Sequence, residues 1–500
     1  MSEETKTATP DWHARAQTLD LPTRALVDGQ LREASDGAKF QRINPATGEL
    51  LVEVAECSAE DVDTAVAAAR RTFEQGDWRH ASPDERKAAM LRWADLIREH
   101  ADELALLESL EAGKPIANTS SADIPACANT IQWYAEALDK LYDEVAPTGA
   151  GNLTTVTREP VGVVAAVVPW NYASIIASWK LGPALAVGNS VILKPAEESP
   201  LAAIRLGQLA LQAGIPAGAV QVLTGRGPVT GEAIGMHPDI DVVTFTGSAE
   251  IGKRFLGYSA ASNMKRIWLE CGGKSPQIVT RDCGNLDKAA DAIAGSIWYN
   301  TGQTCHAGSR VIVDRKVKDA LLERAAARAG QFAPGDPLDP ATSMGPLIDT
   351  DAQARVSEYV DGARRDGAKV VTGGQAPGAL AQGAFFEPTI VDGLSGDARI
   401  AREEVFGPVL SVLTYDDLYE GIRIANDSRY GLAASVWCDR IDDANRAAAA
   451  LRAGTVWINC YDKSSPVTPF GGYKESGIGR DRSLHAFDKF TEIKTTWLEY

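Results

Sequence analysis

The spacing of apolar residues in the first part of the chain changes from a strand-like to a helix-like pattern. Residues 24–56 alternate short apolar runs with Gly and Asn-Pro, which predicts strands and turns. Helical spacing follows, because Ser58 and Asp61 form a capping pair ahead of a run with one apolar face. The residues of that face are Val62, Ala65, Val66, Ala69 and Phe73.

A second helix start lies at Ser82-Pro83-Asp84-Glu85, which combines a capping side chain, a proline at the first helical position and a glutamate. We expect one apolar side on the helix that follows. Its members are Met90, Leu91, Ala94, Ile97 and Leu104.

The pattern changes near residue 160. Short runs that are apolar along their whole length alternate with helix-like segments, which is typical of a parallel sheet covered on both faces. The runs are VGVVAAVV, SVILKP, VQVLTG and DVVTFTG, and a second α/β region over about 270–480 adds SRVIVD, AKVVTGG and GTVWIN. The last stretch, FTEIKTTWLEY, predicts a terminal strand that could pair with another subunit.

Length and charge narrow the functional classes. A chain of 500 residues predicts two or three structural units. A net charge of −17 without a Lys/Arg cluster argues against nucleic acid or an anionic membrane as a partner. The N-terminus does not resemble a signal peptide, and the most apolar segment, 161–170, is too short to span a membrane. We therefore expect a cytoplasmic protein.

The seven cysteines are scattered, with no CxxC and no zinc spacing, so we expect reduced thiols and no structural metal. Cys305 stands out, because its segment WYNTGQTCHAGSR is small and polar, whereas a buried structural thiol usually lies among apolar residues. Such neighbours leave room for a ligand to approach. A stray surface cysteine is the alternative.

Three strand ends predict a nucleotide site, since parallel sheets bind ligands at the carboxyl ends of their strands. Each end alone is typical of an ordinary tight turn, and no GxGxxG occurs, but together they favour a nucleotide. The candidate residues are Lys194 and Glu197, then Gly225, Gly227 and Gly231, then Thr246, Gly247, Ser248 and Gly252. A carboxylate such as Glu197 would hold ribose hydroxyls and repel a 2′-phosphate, which favours NAD over NADP.

Seven motifs in order resemble the NAD(P)-dependent aldehyde dehydrogenase superfamily over essentially the whole chain. They are VVPWN (167–171), ILKPAE (192–197), FTGS (245–248), LECGGKSP (269–276), GQTC (302–305), EEVFGPV (403–409) and PFGGYKESG (469–477). Within the family, the chain is most similar to the γ-glutamyl-γ-aminobutyraldehyde dehydrogenase group of polyamine catabolism. The segments that carry this similarity are DIPACANTIQWYAEALDKLY, SNMKRIWLECGGKSP and GRDRSLHAFDKFTEIKT.

The resemblance implies an α/β fold of three parts. A Rossmann-like NAD-binding domain would comprise residues 1–140 and 160–270, and an α/β catalytic domain residues 271–480. A small β oligomerisation arm would comprise residues 141–159 and 481–500. A homodimer or homotetramer follows from such an arm.

The resemblance also implies the catalytic chemistry. Cys305 matches the nucleophile, which adds to an aldehyde to give a thiohemiacetal and then, after hydride transfer to NAD, a thioester that water cleaves. Its backbone N–H and the Asn171 amide would stabilise the oxyanion. Glu270 matches the general base. Lys180 matches a lysine beneath the active site, either part of a proton route or an ordinary ion pair.

Further roles follow residue by residue from the same resemblance. Lys194 and Glu197 match the adenosine ribose contacts, and Glu404 matches the nicotinamide ribose contact. The other implied cofactor contacts are Trp170, Gly227, Gly231, Thr246, Gly247, Ser248, Gly272 and Phe406. The residues expected to line the aldehyde tunnel are Tyr172, Trp179, Thr304, His306, Asp462 and the rest of the loop CYDKSSP (460–466).

Some features depart from the family pattern or stay open. PWNYA stands where PWNFP is common, so Tyr172-Ala173 alters the tunnel wall. Cys271 is either a buried thiol or an oxidation-sensitive neighbour of Cys305. Asp123 and Asp462 would attract an amino or amide tail, or serve as solvated or structural carboxylates. We expect His306 to point away from Cys305, because adjacent side chains on an extended chain diverge.

The predicted function is NAD-dependent oxidation of an aldehyde to its acid, with an aminoaldehyde or γ-glutamylaminobutyraldehyde as substrate and NADP as a weaker alternative to NAD. A broad-specificity enzyme, or a betaine aldehyde or succinic semialdehyde dehydrogenase, is the alternative within the family. From other classes, a cysteine esterase without redox function and a non-enzymatic binding protein remain.

Overall fold

The helices are distributed along the whole computed structural model, which describes residues 10–500. Over that range no helix combines the length and the apolar character needed to cross a membrane. The helices are α1 (Trp12–Thr18), α2 (Ala59–Gln75), α3 (Pro83–Glu99), α4 (Ala101–Ala112), α5 (Ile116–Asn118), α6 (Ile124–Ala137), α7 (Ala173–Ala186), α8 (Leu201–Gln212), α9 (Glu232–Met236), α10 (Ala249–Ala261), α11 (Leu286–Trp298), α12 (Lys318–Ala327), α13 (Thr350–Arg365), α14 (Arg399–Arg402), α15 (Leu418–Asn426) and α16 (Ile441–Ala450).

The strands form two large sheets and two small ones. They are β1 (Ala25–Val27), β2 (Gln30–Arg32), β3 (Lys39–Ile43), β4 (Leu50–Ala55), β5 (Glu144–Ala146), β6 (Asn152–Pro160), β7 (Val163–Val167), β8 (Ser190–Lys194), β9 (Val220–Val222), β10 (Val242–Gly247), β11 (Arg266–Cys271), β12 (Pro276–Val279), β13 (Arg310–Asp314), β14 (Lys369–Thr372), β15 (Thr389–Asp392), β16 (Val409–Tyr415), β17 (Ala433–Trp437), β18 (Thr455–Ile458), β19 (Gly477–Ile478) and β20 (Thr491–Glu499).

The first large sheet has the order β19-β11-β10-β7-β8-β9-β1-β2. Its five central strands, β7 to β11, are parallel, as the apolar runs after residue 160 predict. After β7 the chain adds β8 and β9 on one side and then β10 and β11 on the other. The carboxyl ends of β7 and β10 therefore flank a topological switch point, where sheets of this kind bind ligands.

The second large sheet has the order β14-β15-β16-β13-β12-β17-β18, and β14 is its one antiparallel strand within residues 10–500. Ile293 of α11 and Leu321 of α12 pack in the core of one face. Ile422 of α15 and Ala444 of α16 pack in the core of the other. Both faces are thus covered, which confirms the predicted α/β class.

The C-terminal strand is present as predicted, and it has a partner within its own chain. β20 pairs antiparallel with β6 from Thr491↔Pro160 to Glu499↔Asn152, and β5 lies beyond β6. Nine residues on each strand match in length, so the pairing is complete without a second subunit. One edge of β20 remains free.

The capping predictions at the first two long helices are confirmed. Ser58 with Asp61 and Ser82 with Glu85 both form reciprocal capping boxes. Leu104, however, does not belong to the helix of Met90, because α3 ends at Glu99 and α4 begins after His100.

The predicted boundary between the large domains falls at a strand end, since β11 closes at Cys271. The chain crosses back later, because β19 pairs with β11 through Leu269↔Ile478 and Glu270↔Gly477. This return places residues from the predicted catalytic region against the first sheet. The assignment of a function to each part remains a prediction.

Candidate active site

A cavity of about 930 Å³ opens at the carboxyl ends of β7, β10 and β11, between the two large sheets. It brings together most of the predicted site residues. Those that line it are Trp170, Asn171, Tyr172, Trp179, Thr246, Gly247, Ser248, Glu270, Gly272, Cys305, His306, Glu404, Phe406 and Asp462. Lys180, Lys194, Glu197, Gly227, Gly231 and Thr304 do not line it.

The loop that carries Cys305 has an unusual backbone. After α11 ends, Asn300, Thr301 and Gly302 have φ values of 50°, 55° and 70°, in the left-handed region. That conformation is uncommon for a β-branched residue such as Thr301. A Cβ on Gly302 would collide with the backbone of Gly407. The surrounding fold therefore holds this turn, and it presents Cys305 half-buried at the cavity wall.

Asn171 is fastened directly to this loop. Its side-chain Nδ2 donates to the carbonyl of Gln303 at 2.8 Å, and Asn300 Nδ2 donates to the Asn171 carbonyl at 3.1 Å. A primary amide has two N–H donors, so one remains for a ligand. Asn171 is thus fixed to a carbonyl two residues before Cys305, and both residues line the same cavity.

Glu270 is 5% exposed, and neither of its oxygens has a hydrogen-bond partner among residues 10–500. Burial, followed by the nearby Asp481 carboxylate, raises its pKa well above the ordinary value. Lys180 and Lys489 oppose that rise. The protonated form of Glu270 is therefore favoured over a wider pH range than in an ordinary glutamate.

Lys180 belongs to a buried cluster of charges that acts on Glu270. Its ammonium and that of Lys489 both pair with Asp481, and all three side chains are buried. Burial would raise the pKa of Asp481, but the two lysines hold it below the ordinary value. Lys180 is thus in an ion pair, the second of the two roles that the sequence leaves open. The sequence does not predict the roles of Asp481 and Lys489, because no local pattern marks a cluster of three charges.

The crevice at the switch point has the features of a nucleotide site. Thr246 is buried, and its hydroxyl has no hydrogen-bond partner within the described part of the chain. Ser248 caps α10 by accepting from the Ile251 N–H. A helix start with free polar groups suits a phosphate.

Glu404 and its neighbours form the opposite wall of this crevice. Glu404 accepts from the Gly273 N–H at 3.1 Å, and burial raises its pKa to about 7. A Cβ on Gly272 would collide with the Glu404 carboxylate, so only glycine permits this approach. The rings of Phe406 and Trp170 meet edge to face at 5.5 Å between centroids.

The second group of predicted cofactor residues lies at the ends of β8 and β9, outside the cavity. Lys194 Nζ donates to the Pro195 carbonyl at 2.8 Å and lies 4.0 Å from the Glu197 carboxylate. Gly231 lies against the Lys194 side chain, and Gly227 faces open space. Lys194 and Glu197 do lie together, as predicted.

His306 does not point away from Cys305, which corrects the expectation from sequence. Residues 305 and 306 lie in a turn rather than on an extended chain, so their side chains converge. His306 Nδ1 lies 3.6 Å from Cys305 Sγ, and His306 Nε2 lies 2.9 Å from Asp462 Oδ1. Burial alone would lower the pKa of His306, but Asp462 and then Cys305 raise it to about 10.

The tunnel wall around Tyr172 is tied to the nucleophile loop. Tyr172 lines the cavity and shares a hydrogen bond of 2.8 Å with the Thr304 hydroxyl. Thr304 does not line the cavity itself but holds the Tyr172 side chain. The Lys114 ammonium lies 3.7 Å from the Tyr172 ring centroid and also pairs with Asp123. Asp123 lines the cavity, but its buried carboxylate is paired with Lys114, as expected of a structural carboxylate.

Two arginines at the cavity were not foreseen. Arg355 and Arg482 line it, and the Arg482 guanidinium lies 5.3 Å from the Trp179 ring centroid. Arg482 follows the last motif by five residues, and neither arginine lies in a pattern that marks a site. Cys271 lines the cavity as a largely buried thiol, and no disulfide forms among the described residues.

Comparison with known proteins gives a consistent result. Residues 32–496 match the aldehyde dehydrogenase family. The chain is 50% identical to aminoacetaldehyde dehydrogenase of Pseudomonas aeruginosa, over 98% of both chains. It is 46% identical to the NADP/NAD-dependent aldehyde dehydrogenase PuuC of Escherichia coli, over 97% of this chain and 98% of that one.

Two solved structures extend the comparison. An indole-3-acetaldehyde dehydrogenase complexed with NAD⁺ has a TM-score of 0.97 and 52% identity, with 98% of this chain and 99% of that chain covered. A γ-glutamyl-γ-aminobutyraldehyde dehydrogenase of Burkholderia cenocepacia has a TM-score of 0.96 at the same identity and coverage. The fold predicted from the seven motifs is confirmed.

Proposed function

The chain belongs to the aldehyde dehydrogenase family and is an NAD(P)-dependent enzyme, and we propose that it oxidises an aminoaldehyde or a γ-glutamylated aminoaldehyde with NAD. The observation that carries this proposal is the meeting of Cys305, Glu270 and Asn171 in one cavity at the switch point of the first sheet. Local sequence separates the three, so their convergence is a property of the fold.

The first step uses the nucleophile loop. The Cys305 sulfur attacks the aldehyde carbon, and the carbonyl oxygen takes the charge of the broken π bond. Asn171 stabilises that oxyanion through its remaining N–H, which is already oriented by Gln303. The amide needs no reorganisation as the charge develops, because the loop holds it before the substrate arrives.

NAD bound beside Cys305 would supply the hydride acceptor that the oxidation requires. The residues suited to hold it are those of the crevice: Thr246 and Ser248 at the start of α10, Glu404, and the packed rings of Phe406 and Trp170. An unpartnered buried hydroxyl on Thr246 and the close approach at Gly272 fit a polar ligand there. Lys194 and Glu197 would hold the far ribose.

The last step needs a base for water. Glu270 suits it, because its carboxyl group is buried and unpartnered, and its raised pKa makes the ionised form a strong base. It takes a proton from the water that attacks the thioester, and Cys305 leaves as a thiolate. Lys180 and Lys489 stabilise the charged form from below without touching the substrate.

The outer cavity suits a substrate whose tail carries both a positive and a negative charge. Asp462 and Lys463 are neighbours on its wall, and Asp462 uses only one carboxylate oxygen for His306. A γ-glutamyl head carries an ammonium and a carboxylate, and these would meet Asp462 and Lys463 respectively. Two relatives, an aminoacetaldehyde dehydrogenase and a γ-glutamyl-γ-aminobutyraldehyde dehydrogenase, support this substrate class.

The test is kcat/KM for a panel of aldehydes with NAD and with NADP, followed by NADH or NADPH absorbance at 340 nm. The panel should include γ-glutamyl-γ-aminobutyraldehyde, γ-aminobutyraldehyde, aminoacetaldehyde, betaine aldehyde and succinic semialdehyde. We expect Lys463→Gln to raise KM for the γ-glutamyl substrate and not for γ-aminobutyraldehyde, which lacks the carboxylate. Lys316→Gln, at an exposed lysine outside the cavity, is the matched control. A low KM for succinic semialdehyde alone would overturn the substrate class.

One observation favours a second candidate, an aromatic aldehyde. Trp179, Trp457 and Phe470 line the tunnel, and the Trp179 and Phe470 ring centroids lie 5.3 Å apart. Flat side chains of this kind stack on an aromatic substrate. Indole-3-acetaldehyde therefore belongs in the same panel, and a higher kcat/KM for it than for every amine-bearing aldehyde would select this candidate.

We also propose that the sheet β5-β6-β20 joins subunits in a homodimer or homotetramer. Ile493, Trp497 and Leu498 of β20 are exposed, and an apolar strand with a free edge is suited to pair with another copy. Light scattering behind a sizing column tests this. Trp497→Glu should shift the mass toward the monomer, and a wild-type monomer would contradict the proposal.

A further inference from the structure

Cys305 shares its cavity with Glu270, but the titratable group in contact with its sulfur is His306. Its Sγ lies 3.6 Å from His306 Nδ1, and the other ring nitrogen of His306 lies 2.9 Å from Asp462 Oδ1. Both nitrogens of one imidazole are thus engaged, one by the nucleophile and the other by a carboxylate. This is the order of groups in which a base activates a nucleophile and a third group orients the base.

We propose that His306 is a catalytic residue that holds Cys305 as a thiolate, and that Asp462 is the positioning residue that orients the His306 ring. The inference rests on the proposed function, because it takes Cys305 as the nucleophile. It assigns thiol activation to His306 and leaves Glu270 with the water of the last step.

The surroundings of Glu270 support this division. Burial raises the pKa of Glu270 well above its ordinary value, which makes its ionised form a strong base of the kind that attack by water requires. Its oxygens also make no hydrogen bond within residues 10–500, whereas His306 reaches the sulfur. The first proton transfer therefore falls to the imidazole.

Charges around His306 favour its protonated form. Cys305 and Asp462 contact it directly, and together they raise its pKa to about 10 against the effect of burial. Arg482 and Lys463 act on Asp462 and, with His306, lower its pKa despite partial desolvation. The remaining neighbours are the Phe470 and Trp457 rings, at 5.5 Å and 6.3 Å between centroids.

The proton balance of the cycle is simple. One proton moves from Sγ to Nδ1, which leaves a thiolate and an imidazolium. The thiolate then forms the S–C bond, and the carbonyl oxygen becomes an oxyanion that needs no proton before hydride transfer. When water cleaves the thioester, the thiolate leaves and meets the same imidazolium. His306 thus keeps its proton throughout, and the protons of water leave through Glu270.

The test follows the thiol without coenzyme or substrate. The full-length enzyme is alkylated with iodoacetamide between pH 5 and 9.5, and modification of the Cys305 peptide is timed by mass spectrometry. Cys460, also half-buried and without an imidazole contact among the described residues, is the internal control. Wild type should react with a midpoint well below the ~8.5 of an ordinary thiol. His306→Gln should move the midpoint up by about one pH unit or more and slow alkylation about tenfold at pH 6.5.

Two further measurements separate this role from a structural one. Asp462→Asn should give a smaller shift in the same direction, since the ring loses its orientation but stays. In steady state, His306→Gln should lower kcat/KM at pH 6.5. The kcat/KM of the variant should recover at pH 9, where the thiol ionises without help.

Each outcome decides the proposal. A wild-type midpoint at ~8.5 or above overturns it even if His306→Gln does not fold, and so does an unchanged midpoint in a folded His306→Gln. NADH formation by such a protein would leave the proposed function standing. Conversely, a low midpoint with no aldehyde oxidation would refute the proposed function and retain the thiolate–imidazolium pair.

Discussion

The two sides of Cys305 handle charge in opposite ways. On the His306 side, the charged groups are hydrogen-bonded in sequence from the sulfur to Asp462. On the Glu270 side, the carboxyl group has no partner within the described residues, and the opposite charges on Lys180 and Lys489 are paired with Asp481 instead. A group that must stay charged is paired, and a group that must change its charge during the cycle is left unpaired.

The largest effect is expected from removal of the Cys305 sulfur, on which both sides act. Cys305→Ala should abolish aldehyde oxidation and leave NAD binding intact, because the coenzyme contacts lie on other elements. Fluorescence titration with NAD and steady-state kinetics measure the two effects. Cys283→Ala, at a buried thiol outside the cavity, is the control and should stay active; substantial turnover by Cys305→Ala would refute the nucleophile.

The Glu270 side is tested next by Glu270→Gln. Loss of a positioned base should slow thioester hydrolysis by ~10²- to 10⁴-fold, while the acyl-enzyme still forms. Rapid mixing should show an NADH burst near one equivalent per site and then a slow phase. In wild type the slow step should accelerate with pH, because the raised pKa of Glu270 keeps it protonated at lower pH. The variant should lack that dependence.

Three results of this experiment are informative. A lost burst would mean that Glu270 is needed earlier, to activate Cys305. A near-normal turnover would show that Glu270 is not the base. A normal burst with a slow second phase would sharpen the division between the two sides.

The deeper charges are tested by Asp481→Asn. Removing the carboxylate that raises the pKa of Glu270, while the lysines stay charged, should lower that pKa and shift the pH profile of deacylation to lower pH. It should also destabilise the fold by about 3–5 kcal/mol, because two buried lysines lose their partner. Denaturant unfolding measures the second effect.

A matched control for that change is available nearby. Asp488→Asn breaks the exposed pair with Arg158, and such pairs contribute about 0–1 kcal/mol. Equal stability losses in the two variants would contradict the view that the buried cluster is the special one.

The smallest expected effect lies outside both sides of Cys305. Glu197→Ser should narrow the preference for NAD over NADP, since the carboxylate repels a 2′-phosphate. The ratio of kcat/KM for the two coenzymes measures it, and kcat with saturating NAD should change little. Equal use of NADP by the wild type would show that Glu197 does not select the coenzyme.

Several features were readable from the chain because they depend on neighbours in sequence. The capping boxes at Ser58 and Ser82 and the strands β7 to β10 follow from local spacing and apolar runs. Cys305 stood out because small polar residues surround it. Glu270 and Asn171 needed the family resemblance, since neither has a local pattern that marks a base or an oxyanion donor.

Other features were decided only by the tertiary structure. The left-handed backbone at Asn300 and Thr301 has no signal in the sequence, and nothing in GQTCH predicts the turn at residues 305 and 306 that brings His306 to the sulfur. Asp462 reaches His306, and Asp481 reaches Lys180, across more than a hundred residues. Periodicity and propensity report on contacts within a few residues, whereas the protonation states of this site are set by charges that only the packed sheets bring together.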